Sequence, residues 1–360
     1  MAMLWGGGPP HSMVWIPKRL PATTLWGSSQ AGSTLLFASS AWMVSGLSSS
    51  PLLNGALPAV AAVPLLLRQH RQINGYVLRI VGAILLIVIS LIPSGIDSIK
   101  SVLIAGTFLA LFLHNFGKEL SSVPIKQSLV EQSGTNMQSL RIVEDLGAVS
   151  GNLITALIFP AIRQFIPALL LLMPLTLGLP ETRNFKAAKQ RHHESLPVHN
   201  LCLLQGLVIG ALFALLALWV REIDGGKCFD FAMVLTAYQF GRPFMLWIPK
   251  MAAPLRYLML LALILSSQMV TQAWLSVALF IPIGALVSSC ERTLIDDMSQ
   301  DSAPTQSWQV LHRSSAIGGI IGSISLGVLC QFAGLDTALW VIGFGFLMLA
   351  SLHALKPATT

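Results

Sequence analysis

Charged residues are scarce in this sequence, and their scarcity sets its structural class. Only 10% of the 360 residues are Asp, Glu, Lys or Arg, whereas 54% are hydrophobic. A soluble fold of this length has too little interior to bury so much apolar surface. A membrane-spanning helix needs about 20 mostly apolar residues, and the charge-free stretches have room for one or two each: 20–67, 80–96, 146–162, 201–220 and 257–290.

The sequence also lacks the motifs of enzymes and metal sites. Its four cysteines stand far apart, without CxxC or His-spaced patterns. It contains no GxxxxGK[ST] phosphate loop, no HExxH and no GxSxG turn. We therefore expect no enzyme activity, no catalytic residue, no metal, no cofactor and no ATP-driven transport by this chain alone.

The basic excess has two explanations. The net charge of +7 is typical of proteins that bind nucleic acid, but membrane proteins also concentrate Lys and Arg in their cytoplasmic loops. The membrane explanation accounts for the charge with no further partner. We expect the lipid bilayer and a small-molecule substrate as partners, no nucleic acid, and a monomer.

Breaks at Pro, Gly and charge clusters divide the chain into about twelve predicted helices. They form two six-helix bundles at residues 21–180 and 200–360, preceded by a cytoplasmic segment 1–20 and joined by a polar cytoplasmic linker 181–199. His192, His193 and His199 belong to the linker region; they could bind a metal, but without acidic or cysteine partners a solvated linker is favoured. The predicted helices are 23–47, 51–67, 76–94, 100–116, 140–160, 164–180, 200–220, 230–248, 256–273, 275–290, 310–332 and 336–355.

The basic residues predict the orientation of these helices. With a cytoplasmic N-terminus, Arg242 falls inside the eighth helix and only four of the 22 basic residues lie outside: Lys100, Arg163, Arg221 and Lys227. This imbalance favours an even number of helices with both termini in the cytoplasm. We expect a multi-pass protein of a bacterial-type inner, or plasma, membrane.

A glycine pattern recurs in the two halves. The fifth predicted helix carries Gly147 and Gly151, and the eleventh carries Gly318 and Gly322, each pair entered through a basic residue. Two glycines one turn apart let a neighbouring backbone approach closely. Recurrence in both halves indicates a duplicated transporter, and we assign these glycines to packing within the chain rather than to dimerisation.

Three segments carry a resemblance to a known family. They are the loop RQHRQINGYVLR, the stretch SLVEQSGTNMQSLRIVEDLGAVSGNLITAL, and its second-half counterpart DDMSQDSAPTQSWQVLHRSSAIGGIIGSISLGVL. They resemble the major facilitator superfamily, in which such loops lead into glycine-rich fifth and eleventh helices. The resemblance implies an all-α, twelve-helix fold of two pseudo-symmetric bundles, with the first, fourth, seventh and tenth helices lining a central cavity.

The sequence also departs from that family. The usual signature between the second and third helices contains an Asp-Arg pair, whereas the region from Arg68 to Arg71 keeps positive charge without the acid. The corresponding second-half loop lacks it too. In the family this signature stabilises the outward-facing state, so its loss bears on gating rather than on the fold.

Arg242 is the leading candidate for a substrate contact. It follows Tyr238 and Gln239 in the eighth predicted helix, and a charge within the bilayer is a functional candidate by default. With help from these two neighbours it could anchor a polar or anionic group. It could equally snorkel to the cytoplasmic face or be the remnant of the second-half signature.

A second candidate group stands at the start of the fifth helix. Arg141 is three residues before Glu144 and four before Asp145, so one helical face brings all three together. A carboxylate released from Arg141 could take part in gating or carry a proton. The same trio could also be a charge network that stabilises the helix N-terminus.

Uncharged polar residues are further substrate-binding candidates, although interhelical hydrogen bonding explains each equally well. They are Gln30, Asn115, Asn152, Gln205, Gln268 and Gln272. The leading functional hypothesis is a secondary transporter of a small apolar, amphipathic or neutral solute by alternating access. The alternative is a transporter-like binding or assembly factor, for a lipid or pigment, without active transport.

Overall fold

The chain folds into helices packed side by side. The computed structural model describes residues 22–67, 75–92, 97–133, 137–158, 197–222, 225–249, 251–270, 272–299 and 304–355. Within these ranges there is no β-strand. The predicted segment 1–20, the sixth predicted helix 164–180 and most of the predicted linker lie outside the described residues.

Two groups of helices follow one another along the chain. The first group contains α1 (Ala22–Leu47), α2 (Pro51–Leu66), α3 (Gly75–Leu91), α4 (Asp97–Ser133) and α5 (Met137–Ile158). The second contains α6 (Asn200–Ala214), α7 (Leu216–Glu222), α8 (Cys228–Gly241), a 3-10 segment (Arg242–Trp247), α9 (Ala253–Met269), α10 (Ala273–Ser299), α11 (Pro304–Ala333) and α12 (Thr337–Ala354).

The helices have the lengths and surfaces of membrane spans. Five described stretches are long and apolar enough to cross a bilayer, namely Ile99–Ser121, Asn200–Glu222, Trp274–Ser299, Ser307–Ala333 and Thr337–Ala354. Large apolar side chains also face outward, with Phe332 87% and Trp340 76% exposed. Such a surface requires an apolar surrounding, and the expectation of an integral multi-pass membrane protein is confirmed.

Several boundaries differ from the predicted ones. α4 continues past residue 116 to Ser133, through a stretch that carries Lys118, Glu119, Lys126 and Glu131. The predicted boundary therefore marks the end of the apolar stretch and not the end of the helix. The seventh predicted helix is interrupted at Leu215. α8 ends at Gly241, because Pro243 removes a backbone donor, and the chain continues as a 3-10 segment.

The repeated glycines lie at equivalent helix crossings. A Cβ atom on Gly147 or Gly151 would collide with backbone carbonyl oxygens of α1, at Gly27 and Ala31 respectively. In the second group, α11 packs on α6 in the same way: Cβ atoms on Gly318 and Gly322 would meet the carbonyl oxygens of Leu203 and Leu207. Each glycine pair thus lets two helices of its own group touch backbone to backbone.

The two groups contact each other where α2 packs against α11 and where α5 packs against α8. At the first of these crossings, a Cβ atom on Gly55 would lie 2.6 Å from the carbonyl oxygen of Ser323. The larger apolar cluster belongs to the second group but also includes Ala38 and Trp42 of α1. The groups therefore share part of their core around the centre of the molecule.

Candidate functional site

A cavity of about 150 Å³ lies between the two helix groups. α1, α2 and α5 contribute one wall, and α6, α7 and α8 contribute the other. No formally charged side chain occurs among the described residues that line it, which are Thr34, Phe37, Ala41, Asn54, Leu57, Pro58, Asn152, Phe213, Ala214, Ala217, Phe231, Leu235, Tyr238 and Gln239. The wall is therefore apolar and aromatic, with a few hydroxyl and amide groups.

The polar groups of the wall differ in how far they are already satisfied. Asn54 donates from Nδ2 to two carbonyl oxygens, of Ser48 at 2.9 Å and Ser50 at 3.0 Å. Thr34 donates to the carbonyl oxygen of Gln30 in its own helix. In contrast, the Oδ1 atom of Asn152 is buried without a hydrogen-bond partner among the described residues.

Four charged side chains cross the boundary between the groups at one end of the cavity; we call Arg141, Asp145, Arg242 and Glu291 the charge quartet. Arg141 of α5 donates to Glu291 of α10 at 2.7 Å. Arg242, just beyond α8, donates to Asp145 of α5 and to Glu291, both at 3.1 Å. Two cations face two anions, so the quartet is balanced in charge.

Further contacts connect the quartet to both groups. Arg141 also donates to the Ser288 hydroxyl at 3.2 Å, and its guanidinium lies 5.0 Å from the Trp308 ring of α11. Arg242 donates to the Tyr238 hydroxyl at 3.4 Å. Because Tyr238 lines the cavity, its hydroxyl connects the cavity directly to the quartet.

The opposite end of the cavity is closed by different chemistry. Arg221, at the end of α7, donates to the carbonyl oxygen of Trp42 at 3.1 Å and to the Ser45 hydroxyl at 3.2 Å. Its guanidinium lies 4.0 Å from the Trp42 ring, within cation–π range. We call this arrangement the Arg221 clasp. Trp42 in turn stacks on Phe231, which lines the cavity.

Each group also contains a buried polar cluster. In the first, Arg79 donates to the hydroxyls of Ser29 and Ser33, while the His114 ring lies 3.2 Å from Ser33. Arg79 is only 3% exposed and has no carboxylate within ion-pair distance among the described residues.

The second group has an uncharged counterpart. Tyr257, the fifth residue of α9 as Arg79 is of α3, donates to Gln205 of α6 at 3.2 Å. The two clusters thus occupy corresponding helices of the two groups. Only the first cluster carries a charge.

Comparison with known proteins identifies the architecture. No family sequence model and no curated protein sequence match the chain. Solved structures do match: a D-xylose–proton symporter at a TM-score of 0.66 and 14% identity, covering 92% of this chain and 95% of that chain. A single-substitution mutant of the nucleoside transporter NupG matches at 0.63 and 13% identity over 92% of this chain and 99% of that chain.

A third structure agrees. A bacterial homologue of the human lysosomal transporter Spinster, in an inward-facing and unoccupied conformation, matches at a TM-score of 0.56 with 12% identity, covering 92% of this chain and 95% of that chain. The chain has the major facilitator fold. The all-α fold class predicted from the sequence is confirmed.

Within the major facilitator fold, the predicted site residues fall in different places. Asn152, Tyr238 and Gln239 line the cavity, and Arg242 lies one turn from it. Among the residues predicted at the start of α5, Arg141 and Asp145 belong to the quartet, whereas Glu144 accepts a hydrogen bond from the Trp26 indole at 3.1 Å.

The remaining candidates are not among the described lining residues. Gln30 is buried beside Gly147, and Asn115 donates to the carbonyl oxygen of Leu111 in its own helix. Gln205 belongs to the Tyr257 cluster. Gln272 is exposed, and the side chain of Gln268 lies outside the described part of the chain.

Sequence reasoning missed two residues of this arrangement. The predicted tenth helix stops at residue 290, which leaves Glu291 in a loop, whereas α10 continues to Ser299 and carries Glu291 into the quartet. Arg79 is the last residue of the predicted loop RQHRQINGYVLR, yet α3 buries it. The signal for Glu291 was its position as an acid directly after the charge-free stretch 257–290.

Proposed function

We propose that the protein is a secondary transporter that moves a small uncharged solute across a membrane by alternating access. The observation that carries the proposal is the uncharged cavity between the two helix groups, with contacts between the groups at each of its ends. A site between two halves that rock against each other is the arrangement that alternating access needs.

The two sets of contacts then act as gates. When the two groups part at the quartet, the Arg141–Glu291 and Arg242–Asp145 pairs break, because each pair joins one group to the other. The Arg242–Glu291 pair stays intact, because both residues belong to the second group. Parting them at the other end separates Arg221 from Trp42 and Ser45. By the distribution of basic loop residues, we assign the quartet to the cytoplasmic gate and the Arg221 clasp to the outer gate.

The matching structures include a nucleoside transporter and a D-xylose–proton symporter. Their likeness supports a transport role for this chain, and the uncharged cavity favours a neutral solute over an ionic one, since burying an unpaired charge costs several kcal/mol. Domain boundaries near residues 180 and 200 complete the proposal, with the two groups as the moving bodies.

Transport in proteoliposomes tests this proposal. The purified full chain is reconstituted and offered radiolabelled uncharged solutes under proton, sodium and solute gradients. Ser50 donates to Gln331 at 2.8 Å across the α2–α11 contact. The Ser50→Cys/Gln331→Cys variant, joined by a reducible bifunctional thiol reagent, should therefore stop uptake, and reduction should restore it. Each single-cysteine variant serves as a matched control.

Uptake that is unaffected by the cross-link contradicts movement of α2 against α11. A protein that moves no solute under any gradient, while forming a stable membrane complex with a partner, favours the binding or assembly role instead. The native cysteines do not interfere, because all four are buried.

A further inference from the structure

We infer that three aromatic residues at the end of α8 and in the 3-10 segment anchor this part of the chain in the lipid headgroup region, and that the anchor holds Arg242 at a fixed depth in the membrane. The three residues are Phe240, Phe244 and Trp247, which we call the aromatic ladder. The inference rests on the lipid-facing surface of the protein and does not depend on transport.

The ladder forms one continuous aromatic surface. The rings of Phe240 and Phe244 meet edge-on with their centroids 5.2 Å apart, and those of Phe244 and Trp247 meet in the same way at 5.2 Å. Trp247 is 80% exposed and Phe240 45%, and no residue of the 3-10 segment is buried. Residues 243–249 carry no charge. A surface of this kind requires an apolar partner.

The length of α8 indicates that this partner is the bilayer. α8 has 14 residues, which cover about 21 Å at a rise of about 1.5 Å each, less than the hydrocarbon core of about 30 Å. Gly241 and Arg242 both have helical backbone angles, so the 3-10 segment continues from α8 without a turn. Its six residues add about 12 Å at a rise of about 2 Å each. The segment therefore completes the membrane span that α8 begins.

Both ends of this span have the chemistry of a membrane interface. The rise from Phe229, which is 46% exposed, to Trp247 is about 30 Å, equal to the thickness of the hydrocarbon core. In the sequence, Lys227 stands just before Phe229 and Lys250 just after Trp247. Trp is enriched at the headgroup level because its ring is apolar and its indole N–H is polar. Trp247 is thereby placed at that level on the quartet side.

The backbone of the segment connects this anchor to the quartet. A 3-10 segment satisfies its backbone with i→i+3 hydrogen bonds, as lipid requires, and the Ile248 amide closes it by donating to the Met245 carbonyl. Arg242 stands five residues before Trp247, so its backbone lies about 10 Å below the headgroup level. There its side chain pairs with Asp145 and Glu291. The position of Trp247 thus sets the depth at which Arg242 joins the quartet.

Fluorescence quenching measures the depth of the ladder. Trp247→Cys, Phe240→Cys and Asp296→Cys, each in a background without the native cysteines, are labelled with an environment-sensitive dye and reconstituted in palmitoyl-oleoyl phosphatidylcholine vesicles. A nitroxide on the lipid headgroup should quench the Trp247→Cys label most, and one at the middle of the acyl chain the Phe240→Cys label. Asp296, whose side chain is 68% exposed, is the aqueous control. Its label should respond to iodide and to neither lipid.

Alkylation of Ser288→Cys tests whether the ladder holds Arg242, because Ser288 is buried beside Arg141 of the quartet. In vesicles, Trp247→Ala should raise the alkylation rate about threefold or more, since the segment loses its interfacial anchor. Trp247→Tyr keeps an amphipathic ring and should leave the rate close to its original value. Trp340→Ala is the matched control, because Trp340 is 76% exposed but belongs to α12.

Two results overturn the inference. The first is a Trp247→Cys label that iodide quenches as strongly as the Asp296→Cys label, or that the acyl-chain nitroxide quenches most. The second is an equal alkylation rate in Trp247→Ala and Trp340→Ala, which would leave a lipid contact without effect on the quartet. Faster alkylation of Ser45→Cys as well, at the other end of the molecule, would indicate unfolding and also count against the inference.

Discussion

Arg242 and Asp145 form an ion pair across the boundary between the two helix groups, with Nε 3.1 Å from Oδ1. Arg242 stands one turn after Tyr238, so the same end of α8 contacts both the cavity and the gate. The 3-10 segment after Gly241 begins at Arg242 itself. A change in the backbone conformation of that segment would therefore move the Arg242 guanidinium relative to Asp145.

Neutralising the acids of the quartet should open its end of the molecule. Glu291 pairs with both arginines and Asp145 with one, so Glu291→Gln should act more strongly than Asp145→Asn. We expect about a tenfold rise in opening, which corresponds to about 1.4 kcal/mol. The measurement is the alkylation rate of Ser288→Cys, buried beside Arg141, in a background lacking the native cysteines.

Asp296 supplies the matched control for these substitutions. It pairs with Arg292 on the same helix at 3.8 Å, and both side chains are more than half exposed. Exposed pairs of this kind contribute little, so Asp296→Asn should leave the alkylation rate unchanged. Equal effects of all three substitutions would contradict a gate built on the quartet.

Loss of Arg221 should have the opposite effect on the conformational balance. Arg221→Ala removes the donor to the Trp42 carbonyl and the Ser45 hydroxyl, together with the cation–π contact. We expect Ser45→Cys to be alkylated several times faster and Ser288→Cys more slowly. Arg221→Lys should be intermediate, since an ammonium keeps the charge but loses the planar fork. Faster labelling at both ends would indicate unfolding instead.

Tyr238 should couple the occupied cavity to the quartet. Tyr238→Phe removes the hydroxyl that lies 3.4 Å from Arg242 but keeps the ring packing on Phe213. We expect a ligand that still binds, yet no longer changes the alkylation rate of Ser288→Cys. Gln239→Leu is the comparison, because it alters the same cavity wall but keeps the Tyr238 hydroxyl. A normal ligand response in Tyr238→Phe would contradict the coupling.

The glycines of α11 should differ sharply in their tolerance of a methyl group. A Cβ on Gly318 would collide with the Leu203 carbonyl oxygen, whereas one on Gly319 would lie 3.7 Å from its nearest neighbour. Gly318→Ala should lower the thermal transition of the detergent-solubilised protein. Gly319→Ala should leave it unchanged or raise it, because Ala favours the helix by about 1 kcal/mol. Size-exclusion profiles after heating measure both, and equal losses would contradict the helix crossing.

The sequence predicted the spans because hydrophobicity and charge act locally along the chain. A charge inside the bilayer is costly, so long charge-free stretches identify helices without knowledge of their neighbours. The glycine pairs were recognisable for a similar reason, since Gly147 and Gly318 stand at the same place in their respective halves. Their partners, the carbonyls of Gly27 and Leu203, became known only from the packing.

The site was harder to predict, because its contacts join residues far apart in sequence. Arg141 has two acids within one helical turn, which suggests a local network, yet its described ion pair is with Glu291 of α10. Asn152 could not be separated from the other polar candidates by its surroundings in sequence. Only the packed structure distinguishes its unpartnered oxygen from the Asn115 amide, which bonds to its own helix.

The different chemistry of the two gates makes them unequal in their response to ionic strength. Contacts between full charges weaken as the salt concentration rises, with a screening length of about 8 Å at 0.15 M. The quartet consists of such contacts, whereas the Arg221 clasp joins one cation to a carbonyl, a hydroxyl and an indole ring. Salt on the quartet side of a membrane should therefore favour opening there by a small amount, because side chains that are only 13–20% exposed are screened less than surface charges. Salt on the other side should leave the clasp closed.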